Sequence, residues 1–171
     1  MARSTVRLTT AQAIVRFLQV QFSERDGDTR RLVPGMFGIF GHGNVHGLGQ
    51  AVDEYGTELT FFQGHNEQSM VHAAVGYAKA TRRRATLACT SSIGPGATNM
   101  VTGAAEATIS RLPVLLFPGD AYATRYQGPV LQQLGGLADP PRVGGRTLDP
   151  PRALLEESFW KVVGVRLDVL R

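Results

Sequence analysis

Three stretches of the 171-residue chain bring together residue types that could do chemistry. The first is Thr90-Ser91-Ser92-Ile93-Gly94-Pro95-Gly96-Ala97-Thr98-Asn99, a run of hydroxyls and glycines between an apolar segment and a small-residue helix. Glycines let backbone approach a ligand closely and helix-start amides favour anions, so the run alone reads as a phosphate cradle, or else as a turn with capping hydroxyls. It is not a P-loop, because no Gly-Lys-Ser/Thr follows, and it lacks the dinucleotide pattern G-x-G-x-x-G. The second stretch is Gly64-His65-Asn66-Glu67-Gln68, where Glu67 falls in the first turn of an expected helix. A carboxylate there is either a helix cap at N3 or an acid-base group. The third is Gly41-His42-Gly43-Asn44, which puts an imidazole and an amide on a tight turn. Histidines 42, 46, 65 and 72 are too scattered to make a metal-ligand pattern, so no metal is expected on this chain alone. The single cysteine, Cys89, lies in the apolar run Ala85 to Cys89 and reads as a buried, unreactive thiol.

The elements that must position these stretches alternate. Thr9-Thr10-Ala11-Gln12 fits a capping box, and Ala11, Ile14, Leu18 and Phe22 then recur along one helix face. Met36 to Phe40 reads as a buried strand ending in the glycine turn, followed by a short helix from Val45 to Tyr55. Leu59 to Phe62, Ala85 to Thr90 and Pro113 to Phe117 are further strands. Between them, Val71, Ala74, Val75 and Ala78 mark a helix ending near Thr81, and Ala97 to Ile109 marks another. Four apolar strands separated by helices predict an α/β fold: a parallel sheet flanked by helices on both faces. Ligands collect at the carboxyl ends of such strands, where all the glycine-rich loops fall.

From about Gly135 the periodicity stops and Gly/Pro pairs take over, predicting a linker over 135–171. Within it Leu155, Phe159, Val163 and Leu167 recur at steps of four, as in a helix docking on an unidentified surface. The composition, 43% apolar and 19% charged, is that of one globular domain. No run reaches the eighteen or so apolar residues of a membrane span, and the first residues lack a signal-peptide core, so a cytoplasmic protein is expected. A net charge of +4 and the Arg82-Arg83-Arg84 cluster raise nucleic-acid binding. Against it, the arginines follow a helix whose negative end they complement, and no aromatic residues are interleaved for stacking.

Together these loops resemble the N-terminal, pyrimidine-binding domain of the acetolactate-synthase-like superfamily of thiamine-diphosphate enzymes. The segments that carry the resemblance are Phe37 to Gly41, His65 to Gln68, Ala73 to Ala78, Gly94 to Asn99 and Pro113 to Leu116. Phe40 to Val45, Cys89 to Gly94 and Val130 to Gln133 are in addition similar to the hydrolases that open a trihydroxycyclohexane-1,2-dione ring in myo-inositol catabolism. The resemblance covers residues 6–134. It implies that Glu67 shares a proton with a ring nitrogen of the cofactor's aminopyrimidine, which activates the cofactor's carbon nucleophile. That role needs the carboxyl group to be shielded from water. By the same resemblance Thr90, Ser91, Gly94 and Asn99 stand beside the pyrimidine, and Gly41, His42 and Asn44 on the substrate side. The phosphate-cradle reading gives way, because in the superfamily the diphosphate and its Mg2+ belong to a separate C-terminal domain.

The implied activity is hydrolytic cleavage of a carbon-carbon bond in the cyclic dione, by a homodimer or tetramer, with neither nucleic acid nor membrane as partner. Two other readings stay open: a carboligase or decarboxylase of the same superfamily, and a non-catalytic pairing module. After Leu134 the family pattern stops and no Gly-Asp-Gly with downstream paired asparagines follows, as a truncation or a shifted reading frame would produce; such a piece is expected to be inactive alone.

Overall fold

The computed structural model describes residues 5–119, together with the short pairs 142–143 and 146–147. The Val130 to Gln133 motif and the predicted helix through Leu155 and Leu167 lie outside these residues, as does nearly all of the Gly/Pro-rich stretch. Arg142–Val143 and Arg146–Thr147 pair antiparallel.

Helix α1, Thr10–Gln19, opens with the expected capping box: Gln12 N donates to the Thr9 hydroxyl at 3.2 Å, and Thr9 N donates to Gln12 Oε1 at 2.9 Å. Val15 and Leu18 face the core. Phe22 does not continue this face. It begins β1, Phe22–Arg25, which pairs with β2, Asp28–Arg31, as an antiparallel hairpin, and its ring is largely exposed beneath the Arg31 guanidinium. The cause is local: Asp26 and Gly27 both take positive φ, 55° and 78°, the geometry of a two-residue hairpin turn. Arg84 and Arg30 hydrogen-bond Asp28 and hold its carboxyl below its ordinary pKa, fastening the hairpin to the body of the domain.

The central sheet has four parallel strands: β3 (Gly35–Ile39), β4 (Thr60–Gln63), β5 (Leu87–Ser91) and β6 (Leu115–Pro118), in the order β4-β3-β5-β6. Side chains alternate between the faces, as a pleated strand requires. Leu87, Cys89 and Leu116 pack under the two helices α4, Glu67–Ala80, and α6, Val101–Ile109, through Val71, Ala74, Val75 and Ala107. Met36 and Ala88 face the other way, against Val15 and Leu18 of α1 and against Leu48 and Ala51. Both faces are therefore covered, as the alternating pattern predicts.

Two boundaries differ from expectation. The helical path after β3 already starts at Gly41, with α2 (Gly41–Asn44), a π-helical turn (Val45–Gly49) and α3 (Gln50–Tyr55) in succession. Glycines weaken helix propensity, but burial of Leu48 and Ala51 and the stacking of Phe40 on Phe61 at 4.9 Å outweigh it here. The small-residue helix is split into α5, Pro95–Asn99, and α6, with buried Met100 between them.

After β3 the chain moves to one side of that strand to form β4, then crosses back over it through α4 to form β5 on the other side. Loops leaving β3 and β5 therefore diverge and open a crevice at their carboxyl ends. Cys89 is fully buried beneath this point, and burial pushes its thiol up to about 12. A thiol reagent at pH 8 is expected to leave the native chain unlabelled and to modify it stoichiometrically in denaturant, read by mass spectrometry; fast labelling of the native form would contradict this packing.

Candidate functional site

Four segments converge on the crevice. At the end of β3, Gly41 adopts φ +64°, and a Cβ there would lie 2.4 Å from Ser92 Cβ, so only glycine lets the α2 turn rest on the turn after β5. Asn44 ties the two together: its Nδ2 donates to Ser91 O at 2.8 Å and to the Thr90 hydroxyl at 3.2 Å. Thr90 in turn donates to Phe117 O at 2.7 Å, and Gly119 N donates to Ser91 O at 2.9 Å. One amide side chain thus helps to knot the ends of β3, β5 and β6.

Glu67 enters from the fourth segment, after β4. It is the first residue of α4 rather than N3, and the cap is Asn66, whose Oδ1 accepts from Ser69 N at 2.9 Å. The carboxylate is thereby free of capping and leans toward the turn after β5. Its Oε2 accepts from Asn99 Nδ2 at 2.8 Å. On the other side lies Gly96: a Cβ there would be 3.0 Å from Glu67 Oε1 and 2.5 Å from Ser92 Oγ. The missing side chain lets Glu67 and Ser92 close in on the α5 backbone and leaves no room for a methyl group. Glu67 lines an open cleft with Pro95, Thr98, Asn99 and Thr102. Shielding is partial, since Glu67 is half-buried and the cleft opens to solvent.

The structure brings Glu67, Gly94 and Asn99 to one place, with Gly94 buried at φ +70° where it turns the chain into α5. Thr90 and Ser91 lie beneath them, both fully buried, with hydroxyls bonded to Phe117 O and Ser92 O. Gly41 and Asn44 sit on the adjacent loop, while His42 is exposed and its carbonyl faces His46 Nδ1 at 3.3 Å. Ser92, Thr98 and Thr102 were not singled out by sequence; Thr98 and Thr102 share a helical step of four, the one signal that puts them on a common side. Behind the cleft, Gln68 and His72 of α4 meet at 3.2 Å, and His72 pairs with Glu106 of α6.

Such a site offers an acceptor oxygen on the wall of an open cleft, with few charges beside it. Residues 30–138 match the family described as thiamine pyrophosphate enzyme, N-terminal TPP binding domain. The chain belongs to this family. Among its relatives, a 3D-(3,5/4)-trihydroxycyclohexane-1,2-dione hydrolase of Geobacillus thermodenitrificans is 59% identical over 131 residues, 77% of this chain and 20% of that protein. A protein of the same name in Bacillus cereus, numbered 2, is 55% identical over 130 residues, 76% of this chain and 20% of its own length. The chain thus spans about a fifth of the length of the curated relatives it matches.

Gly41→Ala is expected to destabilise the domain by about 2–4 kcal/mol, from left-handed backbone strain plus the clash with Ser92. Urea unfolding checks this; a loss below about 0.5 kcal/mol would mean that the two loops are not locked together.

Proposed function

We propose that this chain supplies the pyrimidine-side half of the active site in a thiamine-diphosphate-dependent hydrolase, which cleaves a carbon-carbon bond of 3D-(3,5/4)-trihydroxycyclohexane-1,2-dione in inositol catabolism. One observation carries the reading: Glu67 lines the open cleft, released from capping and held by Asn99, in a chain whose 131 matched residues are 59% identical to a hydrolase of that name.

The residues act as follows. Glu67 exchanges a proton with the ring nitrogen of the aminopyrimidine from its place on the cleft wall. Gly94 turns the chain into α5, Gly96 gives Glu67 room to lean toward the β5 turn, and Thr90 and Ser91 hold that backbone rigid from below. Gly41, His42 and Asn44 form the substrate-side rim, with His42 the exposed polar group there. When bound, the cofactor supplies a carbon nucleophile and an electron sink for the cleavage.

Among the described residues, no group of three His, Cys, Asp or Glu side chains stands close enough to hold a metal ion. On the family resemblance the diphosphate and Mg2+ fall to residues outside this domain, and closure of the cleft over Glu67 to a further domain or a second copy of the chain. No helix among the described residues is long and apolar enough to cross a membrane, and the small polar substrate fits a cytoplasmic enzyme.

The test is a chimera in which residues 6–134 replace the matched stretch of the Geobacillus hydrolase. It is expected to consume the cyclic dione, and Glu67→Gln is expected to lower kcat by about 10²–10⁴-fold, the range for loss of a general acid-base group. Retention of turnover in Glu67→Gln would refute the assignment. Turnover of 2-oxo acids in place of the dione would favour a carboligase or decarboxylase.

A further inference from the structure

We propose that Asn99 is a positioning residue for Glu67 rather than a ligand of the cofactor, an inference that rests on the role given to Glu67 above. The two side chains stand 32 positions apart in sequence and meet across the gap between α5 and α4. A carboxylate only accepts hydrogen bonds, so the Asn99 group turned toward it must be its NH2, which removes the usual ambiguity in an amide's orientation.

The consequence lies in which oxygen is left over. The Glu67 carboxylate can exchange its two oxygens by rotation about its last side-chain bond, a soft torsion. Asn99 Nδ2 at 2.8 Å from Oε2 stops that rotation and leaves Oε1 on the side of Gly96, where a Cβ would come within 3.0 Å of it. A charge-assisted bond of this kind is directional and stronger than a neutral one. Asn99 is itself held in place: it ends α5, a helix begun by Pro95, and the next residue, Met100, is 2% exposed. The geometry thus assigns Asn99 the task of holding the Glu67 carboxylate in one orientation on the cleft wall.

The contact is tested on the full 171-residue chain by the side-chain amide signals in a 15N-edited NMR spectrum. Asn44, Asn66 and Asn99 are the three asparagines, and Asn99→Ala identifies the signals of interest. Glu67→Ala and Glu67→Gln are expected to displace the Asn99 NH2 signals and leave those of Asn44 in place. Unmoved Asn99 signals would overturn the proposal.

The functional arm uses the chimera. Asn99→Ala is expected to lower kcat by about tenfold or more while KM changes little, since a misaimed group costs rate rather than binding. Asn99→Asp, nearly isosteric, is expected to regain kcat as the pH falls, because a protonated Asp carboxyl can again donate to Oε2; the alanine variant has no such donor and is expected not to recover. Equal losses in both variants at every pH, or an unchanged kcat in Asn99→Ala, would overturn the positioning role. A fully active Glu67→Gln chimera would instead remove the underlying reading of Glu67 while the NMR contact persisted, so the two failures are distinguishable.

Discussion

Everything at the crevice depends on a close approach that one missing side chain allows. At Gly96 the backbone of α5 passes so near the β5 turn and the start of α4 that the space of a single methyl group is shared by Ser92 Oγ, Glu67 Oε1 and Ser91 Cβ, at 2.5, 3.0 and 3.4 Å. Protein interiors do not absorb such overlaps without displacing side chains or backbone. The glycine therefore sets how far Glu67 can lean in, and the lean decides whether its carboxylate reaches Asn99.

That approach needs a rigid floor, and the sheet supplies one. Thr90 and Ser91 are fully buried polar residues at the end of β5, a costly arrangement unless their groups are bonded. They are: Phe117 O, Ser92 O and the Asn44 amide satisfy the hydroxyls, and the Ser91 carbonyl accepts from both Asn44 and Gly119. Three strand ends from different parts of the chain are thus locked, and the groups around the cleft rest on them. The cleft side of Glu67 remains open to solvent.

Much of this was legible in the residues. Apolar runs of strand length alternating with helical periods gave the parallel sheet, and glycine loops at the strand ends gave the edge that holds the site. Thr9 and Gln12 announced the cap of α1. The Asp26-Gly27 pair carried an equally strong hairpin signal, yet the helical spacing of Leu18 and Phe22 pointed past it, because periodicity cannot tell a last helical residue from the first residue of a strand. The glycines at 41 and 43 suggested a turn, where the chain is already helical and leads into the segment that buries Leu48 and Ala51. What no local pattern could show is the Asn99–Glu67 bond, or that Asn66 takes the capping role and frees its neighbour. Both depend on how α4 and α5 lie after the sheet has formed.

A crystal structure of the 171-residue chain carrying Gly96→Ala tests the central constraint most directly. The added methyl group is expected to push the Glu67 carboxylate away from the β5 turn and break its bond to Asn99, with the four-stranded sheet unchanged. If Glu67 Oε2 still lies within hydrogen-bonding distance of Asn99 Nδ2 and the methyl group is accommodated without displacement, the close approach at residue 96 does not set the geometry of the site.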